Sequence, residues 1–213
     1  MQSDDELLCL AIKGDGHARS ELFARHRQRL RVMVQLRMDR RVAARIDASD
    51  VLQEAFLDYD RRLPEYAANP QVPVFLWLRT LTGQRLIDLH RQHLGAQIRD
   101  AGLGVSLYHG AFPAASSISL ANQLLGRFTS PTQAAIRAEL QIRLQDALNT
   151  MDLIDREVLI LHHFEELDNN ETARVLGLEK SAASKRYIRA LSRLKQILSA
   201  MPGFFSDDKA NCS

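Results

Sequence analysis

The stretch Leu167–Lys195, LDNNETARVLGLEKSAASKRYIRALSRLK, has the grammar of a short helix, a tight turn and a second, basic helix. Asp168 and Glu171, three residues apart, form a capping-box pair that opens the first helix by satisfying its orphan N–H groups. Gly177 stands where a left-handed residue ends that helix before the chain reverses. Ala173, four residues earlier, is small, as a close crossing by the second helix requires. In the second helix Ala183, Tyr187, Ala190, Leu191 and Leu194 recur at helical spacing and predict its core-facing stripe. Its other faces carry Ser181, Ser184, Lys185, Arg186, Arg189, Ser192 and Arg193. Small hydroxyls near the N-terminal end with cations behind them suit a helix entering the major groove. There Ser reaches bases or phosphates, and Arg and Lys make phosphate contacts or bidentate guanine contacts. A solvated basic face on an ordinary hairpin would share the charge but not the Ala-to-Gly spacing. The segment reads as a DNA-binding helix-turn-helix.

Composition sets the frame around it. With 213 residues and 46% hydrophobic content, the chain can bury one core or two small ones. A formal charge of +2 means that nucleic-acid affinity must come from local clusters of Arg and Lys, not from bulk charge. Two cysteines, Cys9 and Cys212, imply neither a disulfide framework nor a metal site, as suits a reducing cytosol. The start, MQSDDELL, is acidic where a signal peptide would be basic, and no apolar run reaches the roughly 18 residues of a membrane span. A cytoplasmic location without membrane attachment is the expectation.

Helical periodicity runs from end to end, which predicts an all-α chain. Ser3 with Glu6 opens a short helix that Gly14 stops, and a second helix is predicted from about Ala18 to Met38, with Leu22, Phe23, Leu30, Val34 and Met38 inward. Ser49 or Asp50 would cap DVLQEAFLDYDRRL, with an apolar stripe of Val51, Leu52, Ala55, Phe56 and Tyr59. Pro64, Pro70 and Pro73 would confine PEYAANPQVP to a loop. VFLWLRTLTGQRLIDLHRQHL follows as helix, with Leu78, Leu81, Ile87 and Leu94 inward. From Gly95 to about Ser130 the chain turns rich in Gly, Ala and Ser, which reads as a linker in which SISLANQLL can form a short amphipathic helix. Pro131 at a first-turn position reopens helix, and three more helices follow, at about Ile154–Phe164, Asn169–Leu176 and Ser181–Ser199.

Widely separated stretches together resemble one family. DVLQEAFLDYDRRLPEY resembles region 2.2 of bacterial sigma-70 factors, specifically the small two-domain extracytoplasmic-function group. VFLWLRTLTGQRLIDLHRQ is similar to regions 2.3 and 2.4, with Trp77-Leu78 and Asp88-x-x-Arg91 in place. MDLIDREVLILHHFEELDNNETARVLGLEKSAASKRYIRALSRLK resembles region 4, including Arg156-Glu157 and Glu165-Glu166. The likeness covers about residues 5–95 and 130–198. It implies two small helical domains, 1–95 (region 2) and 131–200 (region 4), joined by a flexible linker at 96–130 and followed by a disordered tail at 201–213.

The resemblance also implies roles. Asp50, Gln53, Glu54 and Asp58 share one face of the Val51 helix and would meet the clamp of core RNA polymerase, with Leu52 and Phe56 anchoring the helix or the contact. Without a second domain, that face would read as solvated acidic surface. Arg79, Gln84, Arg85 and Arg91 would line a face toward the promoter −10 element, and Asn69 and Gln71 of the preceding loop would cradle an unstacked base. Trp77, amid Phe75, Leu76 and Leu78, reads as core rather than as a stacking platform. Ser181, Ser184, Lys185, Arg186, Arg189 and Arg193 would contact the −35 element while the second domain binds the polymerase flap. The chain departs from the family where Gly83-Gln84 replaces Arg-Asn, and where Glu179, Ser181 and Ala182 replace a Ser-x-Gly-Thr opening of the recognition helix. The resemblance implies a monomer when free, sequestered by an anti-sigma factor, and no cofactor.

Two other classes compete. A stand-alone helix-turn-helix regulator explains the C-terminal half but not the Asp50–Asp58 face or the Arg79–Arg91 patch. An enzyme or metalloprotein would have to rest on His162, His163, Glu165 and Glu166, which are spread over more than one helix face. His90 and His93, flanked by Arg91, read as phosphate-facing surface. No Gly-rich phosphate loop, nucleophile elbow or carboxylate pair appears. A non-enzymatic sigma factor that directs transcription initiation is the expectation.

Overall fold

The computed structural model describes residues 2–94, 105–106, 111–128 and 134–200. Two compact units emerge: Met1–Pro113 with Phe164–Glu166, and Ala114–His163 with Leu167–Ser213. The domain limits read from the sequence at Gly95 and Pro131, and the tail at 201–213, lie outside the described residues.

The first unit holds α1 (Asp4–Ile12), α2 (Gly16–Arg37), α3 (Arg40–Ala43), α4 (Ala48–Ala68) and α5 (Val74–Leu94). β1 (Val105–Ser106) and β2 (Ala111–Phe112) pair antiparallel, Val105 opposite Phe112. The Ser3–Glu6 capping box forms as read: Ser3 Oγ accepts from the Glu6 N–H at 3.2 Å and the Glu6 carboxylate accepts from the Ser3 N–H at 2.7 Å. Leu7, Leu22, Leu30, Met33, Leu36, Leu52, Tyr59, Leu63, Leu78 and Leu86 fill the core. Ile87 and Leu94, read as inward, are only half-buried; Val74, Phe75, Leu76 and Leu86 take the buried positions instead.

Two local readings are corrected in α4. Its cap is Asp47, not Ser49 or Asp50: Asp47 accepts from the Ser49 N–H, and Asp50 serves as the third helical residue, accepting from the Asp47 N–H at 2.9 Å. The helix also runs through Pro64 to Ala68, so PEYAANPQVP is not wholly loop. A proline inside a helix removes one donor and crowds the preceding turn. Packing on both sides of it outweighs that cost. Leu63 and Tyr66 are buried, Tyr66 stacks on Trp77 with ring centroids 4.1 Å apart, and its hydroxyl donates to the Val72 carbonyl at 2.7 Å. Trp77 itself is half-buried, flanked by Tyr59 as well as Tyr66.

The second unit holds α6 (Ser117–Phe128), α7 (Ala134–Asn149), α8 (Leu153–His163), α9 (Asn169–Leu176) and α10 (Lys180–Ser199). α6 falls within the stretch read as linker and buries Leu120, Ala121, Leu124 and Leu125. Leu144, Leu148, Val158, Ile160, Leu161, Val175, Ala183 and Ala190 make the rest of the core. The stripe read on α10 is narrower than its sequence suggests: Ala183 and Ala190 are fully buried, while Tyr187, Leu191 and Leu194 are half-buried.

The α9–α10 turn is built as its sequence dictates. Asp168 accepts from the Asn170 and Glu171 N–H groups, and Glu171 returns the bond to the Asp168 N–H at 3.0 Å. Gly177 adopts φ 63°, ψ 33°, the Leu178 N–H donates to the Ala173 carbonyl at 2.9 Å, and the Gly177 N–H donates to the Arg174 carbonyl. These two bonds are the Schellman pattern that closes a helix over a left-handed residue. A Cβ at Gly177 would meet no atom within 4 Å, so the position tests backbone conformation alone. Gly177→Ala should therefore cost about 1 kcal/mol, seen as a lower urea midpoint for the loss of helical circular dichroism. α10 opens on Glu179, whose side chain makes no capping hydrogen bond. Glu179→Ser should raise the same midpoint, adding about 1 kcal/mol of stability through the acceptor it supplies.

Candidate nucleic-acid interface

α10 lays its polar residues on two distinct faces. Ser181, Ser184, Lys185, Ile188, Ser192 and Lys195 fall on one stripe, spaced by three, four and seven residues, and point away from the core positions Ala183 and Ala190. Arg186, Arg189 and Arg193 lie to one side of it. There Asp155, near the start of α8, accepts from Arg189 Nε at 2.8 Å, from Arg189 Nη2 at 2.7 Å and from Arg186 Nη1 at 2.9 Å. Arg193 reaches Thr150 Oγ1 at 3.3 Å. The six residues read as −35 contacts therefore divide: Ser181, Ser184 and Lys185 face outward, whereas Arg186, Arg189 and Arg193 flank that face, tied to the α7–α8 end of the unit.

Asp155 is buried, which by itself raises a carboxyl's pKa, but the hydrogen bonds and charges of Arg189 and Arg186 outweigh that. They hold it below the ordinary carboxylate range. Nothing in its own sequence neighbourhood marked Asp155 for this role; the signal was an acid at the head of α8 with cations spaced by three on α10. The face also contains Ile188, an apolar residue off the core stripe, which reading for charge passed over.

On α5 the four residues read as a −10 face do not share one. Arg79 is buried at 3% exposure and its Nε donates to Glu165 Oε2 at 2.6 Å, so it is not part of the outward surface. Glu165 is itself fully buried, ion-paired with Arg37 as well. Burial opposes its charge, yet the two guanidiniums hold its pKa below the ordinary value. Arg85 is half-buried and paired with Glu54 of α4. Gln84 and Arg91, seven apart, do share an exposed face, and Arg62 of α4 donates to Gln84 Oε1 at 3.4 Å. Asn69 ends α4, and its side-chain oxygen accepts from Gln71; both are exposed. His90, read as phosphate-facing, is instead buried: its Nε2 accepts from the Asp39 N–H, and burial lowers its pKa. Burial and the neighbouring Asp39 and Arg41, not Arg91, decide its environment.

On α4, Asp50, Gln53 and Glu54 are exposed and Asp58 and Phe56 half-buried, with Asp58 paired to Arg61. Leu52 is buried and anchors the helix rather than the outward face. Leu57, 63% exposed, was missed because it falls off the apolar stripe. With Phe23, Ala24, Leu52, Gln53 and Phe56 it lines an apolar cleft of about 530 Å³ between α2 and α4. Of the HHFEE cluster, His162 packs against the Tyr187 ring and burial lowers its pKa, and His163 Nε2 lies 3.2 Å from the Tyr187 hydroxyl. Among the described residues no helix is long and apolar enough to cross a membrane.

Asp155→Ala should cost the second unit about 2 kcal/mol, since it deletes three charge-assisted bonds in a largely buried site. The folded carboxyl is held low, so its contribution is present above the unfolded carboxylate range and is lost as pH falls through the folded value. The urea-midpoint gap between the natural chain and Asp155→Asn should thus be full at neutral pH and shrink below pH of about 4.

Residues 141–194 match the family described as "Sigma-70, region 4". The chain is 25% identical over 200 residues to the ECF RNA polymerase sigma factor SigM of Mycobacterium tuberculosis, covering 92% of this chain and 85% of that protein. It is 28% identical over 191 residues to the ECF RNA polymerase sigma factor SigD of Mycobacterium bovis, covering 90% and 82%. The RNA polymerase sigma factor NccH of Alcaligenes xylosoxydans xylosoxydans matches at 25% identity over 92% of this chain and 94% of its own length. In fold, the chain is similar to CnrH, solved in complex with the cytosolic domain of CnrY, with a TM-score of 0.55, 24% identity, and coverage of 93% and 99%. The helix-turn-helix geometry and these likenesses converge on one conclusion: residues 141–194 form a sigma-70 region 4, in a chain similar over nine-tenths of its length to extracytoplasmic-function sigma factors.

Proposed function

We propose that this protein is a sigma factor that joins core RNA polymerase and directs it to promoters, with α10 set in the major groove at −35 and the Gln84–Arg91 face of α5, with Asn69 and Gln71, toward −10. The observation that carries the reading is the outward stripe of α10. A helix-turn-helix closed at Asp168 and Gly177 presents hydroxyls and Lys185 to solvent, with three arginines beside them, within a chain whose sigma-factor relatives match nine-tenths of its length. A free-standing regulator would use α10 in the same way but leaves the first unit, which those relatives also match, without a role.

The polymerase contact is assigned to the exposed side of α4, Asp50, Gln53, Glu54 and Asp58, extended by Leu57 and Phe56. An apolar cleft with an acidic helix edge beside it has the make-up of a protein-binding patch, where the apolar centre contributes affinity and the charges orientation. Arg186, Arg189 and Arg193, anchored at the side of α10, are assigned to the phosphate backbone, where fixed guanidiniums set register without reading sequence. Arg85 is retained for −10 only if it exchanges Glu54 for phosphate. Arg79, buried against Glu165, acts on this surface by supporting α5. A protein that sequesters the free chain is proposed by analogy with CnrH, which was solved in complex with the cytosolic domain of CnrY.

The test is gel filtration with bacterial core RNA polymerase followed by run-off transcription from a library of randomised promoters. Co-elution with promoter-dependent transcripts is the expected result; tight DNA binding by the free chain with no co-elution would favour the regulator. Asp50→Arg should weaken co-elution at least tenfold with the circular-dichroism spectrum unchanged. Arg189→Ala should weaken promoter binding while the variant still co-elutes with polymerase.

A further inference from the structure

Ile188 is the most exposed large apolar side chain among the described residues, at 68%, and it sits at the centre of α10's outward stripe. Ser184 and Lys185 precede it by one turn and Ser192 follows by one. Among the described residues it stands opposite the α10 core positions Ala183, Ala190, Ile197 and Leu198. A β-branched residue at a solvated helix position forgoes both helix propensity and burial. The arginines that could have carried base recognition are drawn aside by Asp155 and Thr150. What is left at the middle of the stripe, about 10 Å along the helix from Ser181, is an aliphatic knob between hydroxyls and an ammonium.

A major-groove floor offers one apolar feature, the C5-methyl of thymine; every other group on the base edges is a hydrogen-bond donor or acceptor. We infer that Ile188 is a specificity-determining residue that reads a thymine methyl in the −35 element, with Ser184 and Lys185 fixing the register of the contact. The inference rests on the proposed placement of α10 in the major groove. It assigns discrimination to van der Waals contact and leaves the arginines to the phosphates. A cytosine at the read position would present its amino group to Ile188 and lose a hydrogen bond to water without replacement.

The experiment uses the full chain bound to core RNA polymerase. A −35 sequence selected from a randomised library is resynthesised with each thymine changed singly to deoxyuridine, which removes only the methyl. At one position, uracil should weaken binding by the natural holoenzyme about fourfold, the worth of one buried methyl. The penalty should persist in part with Ile188→Val and vanish with Ile188→Ala. Ile188 is exposed and alanine favours helix, so these variants keep the fold, checked by circular dichroism and co-elution. Three results would overturn the inference: a selected element with no required thymine, a uracil penalty indifferent to residue 188, or looser assembly of Ile188→Ala with polymerase in the absence of DNA. Failure of the natural chain to assemble with polymerase, or to select any −35 element, would instead remove the functional reading along with it.

Discussion

The left-handed turn at Gly177 is the constraint on which the second unit depends. α9 is only eight residues long, too short to persist by its own backbone bonds, so its existence relies on closure at both ends and on burial. The Asp168–Glu171 box closes one end and the Schellman bonds close the other. The same turn fixes the direction in which α10 departs, and with it the partition of α10 into a buried alanine seam, a flank held by Asp155 and an outward stripe. A shift of one residue in that turn would rotate α10 by about 100° and turn the stripe toward the core.

Asp155 complements the turn by chemistry. A guanidinium on a flexible stem loses conformational entropy whenever it binds, and long cations held in place beforehand lose less of it at the moment of contact. By fastening Arg186 and Arg189 through three hydrogen bonds, Asp155 sets two positive charges at a defined edge of the helix. It also partly neutralises them, which limits attraction to DNA of arbitrary sequence.

Much of this was legible in the residues, and the exceptions have physical causes. Capping boxes at Ser3 and Asp168, the left-handed Gly177 and the limits of α5 depend on bonds between residues a few positions apart, so they can be read locally. Pro64 misled because its penalty is local while its compensation, the Tyr66–Trp77 stack and the Tyr66–Val72 bond, is set by partners beyond it in the chain. Arg79 and His90 misled for a related reason. Their type favours surface, yet Glu165 and the Asp39 N–H supply buried partners from distant positions. Ile188 and Leu57 went unread because periodicity assigns apolar residues to a core, and says nothing of those standing off the stripe. The candidate residues of α10 could be named from the sequence, but which of them stand on its outward stripe and which are held by Asp155 needed three-dimensional partners.

The Tyr66–Trp77 stack has a further consequence. Trp77 is the single tryptophan of the chain, and its indole lies parallel to a phenol whose hydroxyl is tied to the Val72 carbonyl. It therefore reports by itself, without any label, on the junction where α4 ends, the Asn69–Gln71 loop runs and α5 begins. A nucleobase seated in that loop, or a rearrangement that loosens the last turn beyond Pro64, would change the polarity and quenching around one indole. The molecule carries an intrinsic fluorophore at the junction proposed to face the −10 element.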